Sequence, residues 1–351
     1  MQNNFMKKFD ANAAASKDSG IFGLPYSVEE AKLVLLPVPW EVTTSYGRGT
    51  AKGPQAILQA SKQIDLFDME LGNFFEAGIA MQKESKAVQQ WNKEAGKLAQ
   101  KIIAAGGVEA SAKLRKIATK VDQYSVRLNE YVYSSTKHIL SQGKRVGVVG
   151  GDHSTPFGAI QAFLEKYPAM GILHFDAHAD LRAAFEGFEY SHASIMHNVV
   201  EKTGLTHLVQ VGIRDFCEEE FHYIKKNSQR ITTFFDTALA EKKLSGASWS
   251  TICEEIINCL PAEVYVSFDI DGLDPRFCPH TGTPVPGGLD LQEALYLIKK
   301  VAQSGRKIIG FDLNEVSPGT AVSSCVADPA AEWDANVGAR LLYKLCGWAL
   351  V

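Results

Sequence analysis

At 351 residues the chain is long enough to bury a large core, either as one α/β domain or as two smaller ones. A net charge of −4 offers no basic footprint for nucleic acid or an anionic membrane, and 46% hydrophobic with 22% charged residues excludes a disordered or fibrous chain. No run reaches the apolar length of a membrane span, and Asp10 to Gly20 is small and polar where a signal peptide is apolar, so a cytoplasmic protein with a small-molecule partner is expected.

Residues 1–30 read as a poorly ordered arm, and residues 31–351 as a single domain. The apolar run Ala31 to Pro37 predicts a buried first strand. A glycine-bearing loop, Trp40 to Thr50, follows, then a helix over about 53–61 with Pro54 in its first turn. That loop is either a wall of a ligand site, as loops after strand ends in open sheets are, or a plain Gly-rich connection. Over 86–142 the composition shifts to Ala, Lys, Glu and Gln, broken by Ala105-Gly106-Gly107. Leu114, Ile117, Val121, Tyr124, Leu128 and Tyr131 recur there at helical spacing, which predicts a helical elaboration packed by one face on the body.

Strands and helices then alternate. Strands are predicted at 145–150, 171–175, 207–213, 231–235, 263–269 and 307–313. Helices are predicted at about 156–166, 192–203, 218–226, 250–259, 290–303 and 331–348. Apolar strands separated by helices imply an α/β fold of three layers, αβα, with a parallel sheet and ligands at its carboxyl edge. Cys217, Cys253, Cys259, Cys278, Cys325 and Cys346 show no CxxC pairing and read as reduced thiols.

Three strand ends carry the candidate chemistry. After the strand ending at Phe175 come Asp176, His178 and Asp180, at alternating positions that project one way from an extended backbone. The strand before Gly150-Gly151-Asp152 delivers His153, and the strand ending at Asp269 delivers Asp269 and Asp271. Six ligands exceed one ion's needs and suit two divalent ions bridged by shared carboxylates. An oxygen-rich set with imidazole and no thiolate favours manganese, with zinc, nickel and cobalt as alternatives. Such a site makes hydroxide available at neutral pH. His192 is then either a proton shuttle to a leaving amine or a polar helix-start residue. Glu315, at the end of the last strand, is either a clamp for a planar cation such as guanidinium or an exposed loop acid.

GGDHS (150–154), DAHAD (176–180), SFDIDGLDP (267–275), TGTPVPGG (281–288) and FDLNEVSP (311–318) resemble the motifs of the arginase/agmatinase/formimidoylglutamase family of ureohydrolases. The resemblance runs from the Val38-Pro39-Trp40 loop to the last helix and leaves out the arm and 86–142. It implies an arginase-like fold, with one manganese held by His153, Asp176, Asp180 and Asp269 and a second by Asp176, His178, Asp269 and Asp271. It also implies a proton-shuttling His192, a guanidinium-binding Glu315, attack of metal-bridging hydroxide on the guanidinium carbon, and a trimer or hexamer.

The family divides by what grips the far end of the substrate. Arg182 stands where arginases usually carry an asparagine, and Asp-Leu-Arg resembles formimidoylglutamases, in which an arginine suits a substrate carboxylate. Those enzymes generally lack a histidine at the position of His192. The Ser191-His192 pair, the PVPWEVTTSYGRGT loop and the EVSP ending look more like agmatinases, with Glu186 or Glu189 to receive a terminal ammonium. The expectation is therefore agmatine hydrolysis to putrescine and urea. The alternatives are an arginase, a guanidino-acid hydrolase, a formimidoylglutamase or, outside enzymes, a non-catalytic metal-binding protein. A single-zinc deacetylase is disfavoured by the second set of ligands.

Overall fold

The structure, a computed structural model, describes residues 9–109, 111–318 and 331–351. Cys325 lies outside them. Eight strands form one sheet: β1 (Leu33–Val38), β2 (Ile79–Met81), β3 (Arg145–Gly150), β4 (Gly171–Phe175), β5 (His207–Ile213), β6 (Ile231–Phe235), β7 (Glu263–Asp269) and β8 (Lys307–Asn314). Their order is β2-β1-β3-β8-β7-β4-β5-β6, and every pairing is parallel. The strands are Val-, Ile- and Leu-rich because both sheet faces are covered, so alternate residues enter different cores.

In β7, Val264, Val266 and Phe268 pack into one core with Ile57, Leu297 and Leu345. These belong to α1 (Gly53–Ala60), α9 (Leu291–Gln303) and α10 (Ala331–Leu350), and α8 (Trp249–Asn258) joins them through Ile252 and Ile256. Tyr265, between those valines, points into the opposite core with Ile160, Val199 and Ile224, from α4 (Phe157–Lys166), α5 (Ile195–Lys202) and α6 (Glu218–Lys226). The three-layer αβα architecture is therefore as expected.

Several local readings change. The three-residue edge strand β2 and helix α7 (Asp236–Leu244) had no clear periodic signal, the first being too short and the second mostly polar. The helix expected from His192 begins instead as a 3-10 turn, His192–Ser194, with Ser191 Oγ accepting from the Ala193 N–H at 3.3 Å. The arm is anchored over part of its length. Ile21, Phe22 and Leu24 are buried in the first core, the Phe22 N–H donates to Ser61 Oγ at 2.9 Å, and the Phe22 ring meets Tyr343 edge-on at 4.8 Å. Among the described residues no helix is long and apolar enough to cross a membrane.

The elaboration is a hairpin of α2 (Lys86–Ile103) and α3 (Ala112–Ser141), each started by a serine cap, Ser85 and Ser111. Val88, Ile102, Val121 and Leu128 form a third apolar cluster, which also receives Trp40 and Val42 from the loop after β1 and Phe188 from the loop after β4. Burying a phenylalanine such as Phe188 contributes on the order of 2 kcal/mol.

Asp122, on α3, accepts N–H bonds from Glu189 at 3.1 Å and Tyr190 at 3.4 Å. Burial, reinforced by the nearby Glu189 charge and offset by those N–H bonds and by Lys202, pushes the Asp122 carboxyl up to about 6. Because the folded value exceeds the unfolded one, Asp122 contributes stability that is fully present below pH ~4 and is lost as pH rises through about 6. Asp122→Asn keeps the acceptor oxygen without the charge. Thermal melts are expected to show the variant gaining on the parent chain above pH 7 and converging with it near pH 4; a pH-independent difference would contradict this.

Candidate metal centre

β3, β8, β7 and β4 are neighbours, so their carboxyl ends deliver His153, Glu315, Asp269 and Asp176 to one place. His153, Asp176, Asp180, Asp269, Asp271 and Glu315 are all buried. His153 Nδ1 lies 3.0 Å from Asp176 Oδ2, 3.1 Å from Asp269 Oδ2 and 3.4 Å from Asp180 Oδ2. His178 Nδ1 lies 3.1 Å from Asp271 Oδ2 and 3.4 Å from Asp176 Oδ1. Two ligand groups result, His153 with His174, Asp176 and Asp180, and Asp176 with His178 and Asp271, each drawn within 4.8 Å. Asp176 belongs to both. All six residues anticipated at the strand ends are thus brought together.

Hydrogen bonds fix how these rings face. Ser267 Oγ donates to Asp312 Oδ1 at 2.9 Å and so accepts from His153 Nε2 at 3.0 Å. The His153 proton then sits on Nε2, leaving the Nδ1 lone pair aimed at three carboxylate oxygens, an arrangement that calls for a cation between them. With no cation, protons must fill that role. Burial opposes a charged His153, yet the bonds and charges of Asp176 and Asp269 hold it well above its ordinary range. His178 is raised likewise, against burial, by Asp271 and Asp176. Burial and the Asp176 charge push Asp180 up, and burial with the Asp271 charge does the same to Asp269. Asp176 falls, because its three histidine neighbours outweigh burial. Carboxylates crowded against an imidazole lone pair are the donor set of a divalent metal, so the residues present fit one.

His174 was not among the anticipated ligands, because it lies inside the apolar run Gly171 to Phe175. Its Nε2 is 2.8 Å from Asp176 Oδ2. Thr233 Oγ1 donates to Gln210 Oε1 at 3.0 Å, so Gln210 Nε2 faces Ala179 O at 2.8 Å and His174 Nδ1 at 3.0 Å as a donor. His174 therefore carries its proton on Nε2 and gives it to Asp176, orienting that carboxylate rather than ligating.

A narrow cleft lined by Thr44, Ser45, Tyr46, Gly47, His192, Gly282, Thr283 and Glu315 adjoins this cluster. Glu315, at φ 62°, accepts the His153 N–H on Oε1 at 2.9 Å, while its Oε2 is buried with no hydrogen-bond partner. A methyl group added at Gly282 would lie 3.1 Å from that Oε2, so glycine avoids a close contact in front of it. The His192 N–H donates to Thr43 Oγ1 at 3.1 Å, and the same hydroxyl is hydrogen-bonded to His192 Nδ1 at 3.2 Å. Burial, then the nearby His178 and His153, lowers His192 to about 4, so the ring is neutral at physiological pH. The loop after β1 is thus part of the site.

The three residues expected at the far end of a substrate separate. Arg182 Nε lies 3.6 Å from buried Glu220 Oε2, and its guanidinium stacks over the Phe185 ring at 5.0 Å, so its charge is taken up there. Glu189 is exposed, its carboxylate paired with Lys202, and it is not free to receive an ammonium. Glu186, at φ 54°, keeps a buried Oε2 with no hydrogen-bond partner, and burial raises its carboxyl.

A parallel α/β sheet gathering His and Asp side chains at its carboxyl edge defines a protein built to hold divalent metal. The sequence model of the arginase family matches residues 31–347, and the chain belongs to that family. It is 32% identical to an N(1)-aminopropylagmatine ureohydrolase of Thermus thermophilus over 294 residues, 84% of this chain and 85% of that one. It is 30% identical to the agmatinase of Bacillus subtilis over 300 residues, 83% and 85% of the two chains. In fold it resembles the agmatine ureohydrolase of Thermoplasma volcanium, with a TM-score of 0.70 at 23% identity over 98% and 96% of the chains.

Replacing His174 by Phe is expected to lower affinity for Mn2+ by about 10- to 100-fold in a chelator-competition titration. His174→Gln, which keeps a donor toward Asp176, should retain most of it; unchanged binding in the Phe variant would refute the orienting role.

Proposed function

We propose that the protein is a ureohydrolase that cleaves a guanidino C–N bond of a linear guanidino amine, agmatine first, releasing urea and putrescine. The observation that carries this reading is the bare, buried Oε2 of Glu315 in a cleft shared with His192 beside the metal-ligand cluster. The reading includes two divalent ions, manganese before others, one within reach of His153, Asp176, Asp180 and Asp269 and the other of Asp176, His178, Asp269 and Asp271. When bound, they supply a nucleophilic water at neutral pH.

The chain's own residues hold the substrate and move protons. Glu315 Oε1 is tied to the His153 backbone, so Oε2 is left to accept guanidinium N–H bonds and orient the cation. His192, neutral at physiological pH, takes up the proton that the attacking water releases and, as imidazolium, gives a proton to the departing amine nitrogen, while Thr43, bonded to its backbone N–H and 3.2 Å from Nδ1, holds the ring. Burial of Glu315 and partial burial of His192 limit competing water and strengthen these interactions.

The far end of the substrate is read as cationic. The loop's arginine, Arg182, lies with Nε 3.6 Å from Glu220 Oε2 and stacks over Phe185, so its guanidinium is already engaged by those partners. Glu186 on the same loop offers a buried carboxylate oxygen without a partner. Relatives named agmatinase and N(1)-aminopropylagmatine ureohydrolase support a guanidino amine over a guanidino acid. The same reading takes 31–351 as one catalytic domain of a cytoplasmic homo-oligomer, on the family resemblance.

Purified protein reconstituted with Mn2+ is expected to release urea from agmatine faster than from arginine or guanidinobutyrate, and to release no formamide from formimidoylglutamate. Glu315→Gln should lower kcat/KM at least ~100-fold, and His192→Asn should lower kcat by ~100-fold or more. Metal-loaded protein inactive toward every guanidino compound would overturn the assignment, and faster turnover of guanidinobutyrate would overturn the cationic-tail reading.

A further inference from the structure

The α2–α3 hairpin has no part in the chemistry just described, yet it holds both loops that flank His192. From the loop after β1, Trp40 and Val42 are buried in the hairpin's apolar cluster, and the Glu41 N–H donates to Asn92 Oδ1 of α2 at 2.8 Å. The next residue inward, Thr43, is bonded to both the backbone N–H and Nδ1 of His192.

From the loop after β4, Phe188 is buried in the same cluster, and Asp122 of α3 accepts the Glu189 and Tyr190 N–H groups. The hairpin's tip meets this loop as well. Gly187 stands at φ 91°, and a methyl group there would lie 2.4 Å from Val108, so only glycine allows the approach. Between these anchors, Phe185 and Phe188 close a tight turn by mutual backbone bonds of 3.1 and 2.9 Å, with Glu186 at its tip and the Phe185 ring edge-on to His192 at 6.3 Å.

We propose that the α2–α3 hairpin sets the length of guanidino amine the site accepts, with Asp122 a positioning residue that fixes Glu186 relative to Glu315. This rests on the ureohydrolase reading. Glu315 and the metal ligands are built on the sheet, whereas Glu186 is carried by a loop held on one side by the hairpin and, at Glu189, also by Asn198 and Lys202 of α5. The distance from guanidinium to distal ammonium is therefore set by a contact between the hairpin and the sheet's loops. A loop released at Asp122 loses its grip on the distal nitrogen and leaves the guanidinium end in place. The accepted substrates are linear amines with one guanidinium and a second cationic nitrogen, ranked by the spacing between the two.

The test measures kcat and KM for agmatine, its homologues one methylene shorter and longer, and N(1)-aminopropylagmatine, on the manganese-loaded full chain and on Asp122→Ala and Asp122→Asn. Hydrogen exchange at the Glu189 and Tyr190 amides and bound manganese are followed in parallel. Asp122→Ala is expected to speed exchange at both amides and to raise KM for the preferred amine by roughly tenfold while flattening the ranking of chain lengths. Its manganese content should match the parent, and Asp122→Asn, which keeps the acceptor, should restore most of the ranking. A released loop with an unchanged ranking overturns the proposal, as does unchanged exchange in Asp122→Ala. A parent chain that turns over none of the amines overturns the ureohydrolase reading, and this proposal with it; an active parent with an unaltered Ala variant overturns this proposal alone.

Discussion

Asp176, Asp180, Asp269, Asp271 and Glu315 are buried at adjoining strand ends, where no solvent screens them. Two like unit charges ~4 Å apart repel by about 4 kcal/mol even at an effective dielectric of 20. Several such pairs rival the whole folding free energy of a domain, about 5–15 kcal/mol. A chain that folds this way must supply positive charge at the same place. His153 and His178, held well above their ordinary range by these carboxylates, can do so by taking protons, and divalent cations do so better, because each lets the imidazoles act as neutral ligands. Asp176 is the hinge of the arrangement, common to both ligand groups and held by His174 from behind.

The sheet topology makes that crowding achievable. β3, β8, β7 and β4 stand side by side although they are scattered along the chain, so short reaches from four rigid strand ends suffice. What the strands cannot supply, the first residues beyond them do by adopting unusual backbone. Asp180 at φ 55° and Glu315 at φ 62° both occupy the left-handed region as non-glycine residues. Strain of this kind costs of order 1–3 kcal/mol each and persists only where surrounding packing fixes it. Both residues are buried, Glu315 tied to the His153 backbone and Asp180 carrying the His197 N–H on its carbonyl.

The strands and the ligands at their ends were readable because both follow from local rules. Buried parallel strands are continuous apolar runs, and Asp176, His178 and Asp180 alternate with alanines, so one projection direction is enough to predict convergence. His174 is in phase with them but lies inside the apolar run, so it was not singled out; its contacts with Asp176 and with Gln210, a neighbour across the sheet, reveal its polar role. Arg182 could not be placed from its own surroundings, since the partner that takes its charge, Glu220, caps a helix far along the chain. Glu186 and Glu189 read alike as loop acids, and tertiary contacts separate them, Lys202 taking Glu189 while the hairpin tip packs on Glu186. The hairpin's period was plain, but its grip on Phe188 was not.

The central claim, that the buried carboxylates exist to enclose a pair of cations sharing Asp176, is tested most directly by anomalous diffraction from crystals grown with manganese. The account predicts two anomalous peaks, one on either side of the Asp176 carboxylate, the first within ligand distance of His153 Nδ1 and the second of His178 Nδ1. A single peak, or none with Asp176 still hydrogen-bonded to protonated histidines, would contradict it.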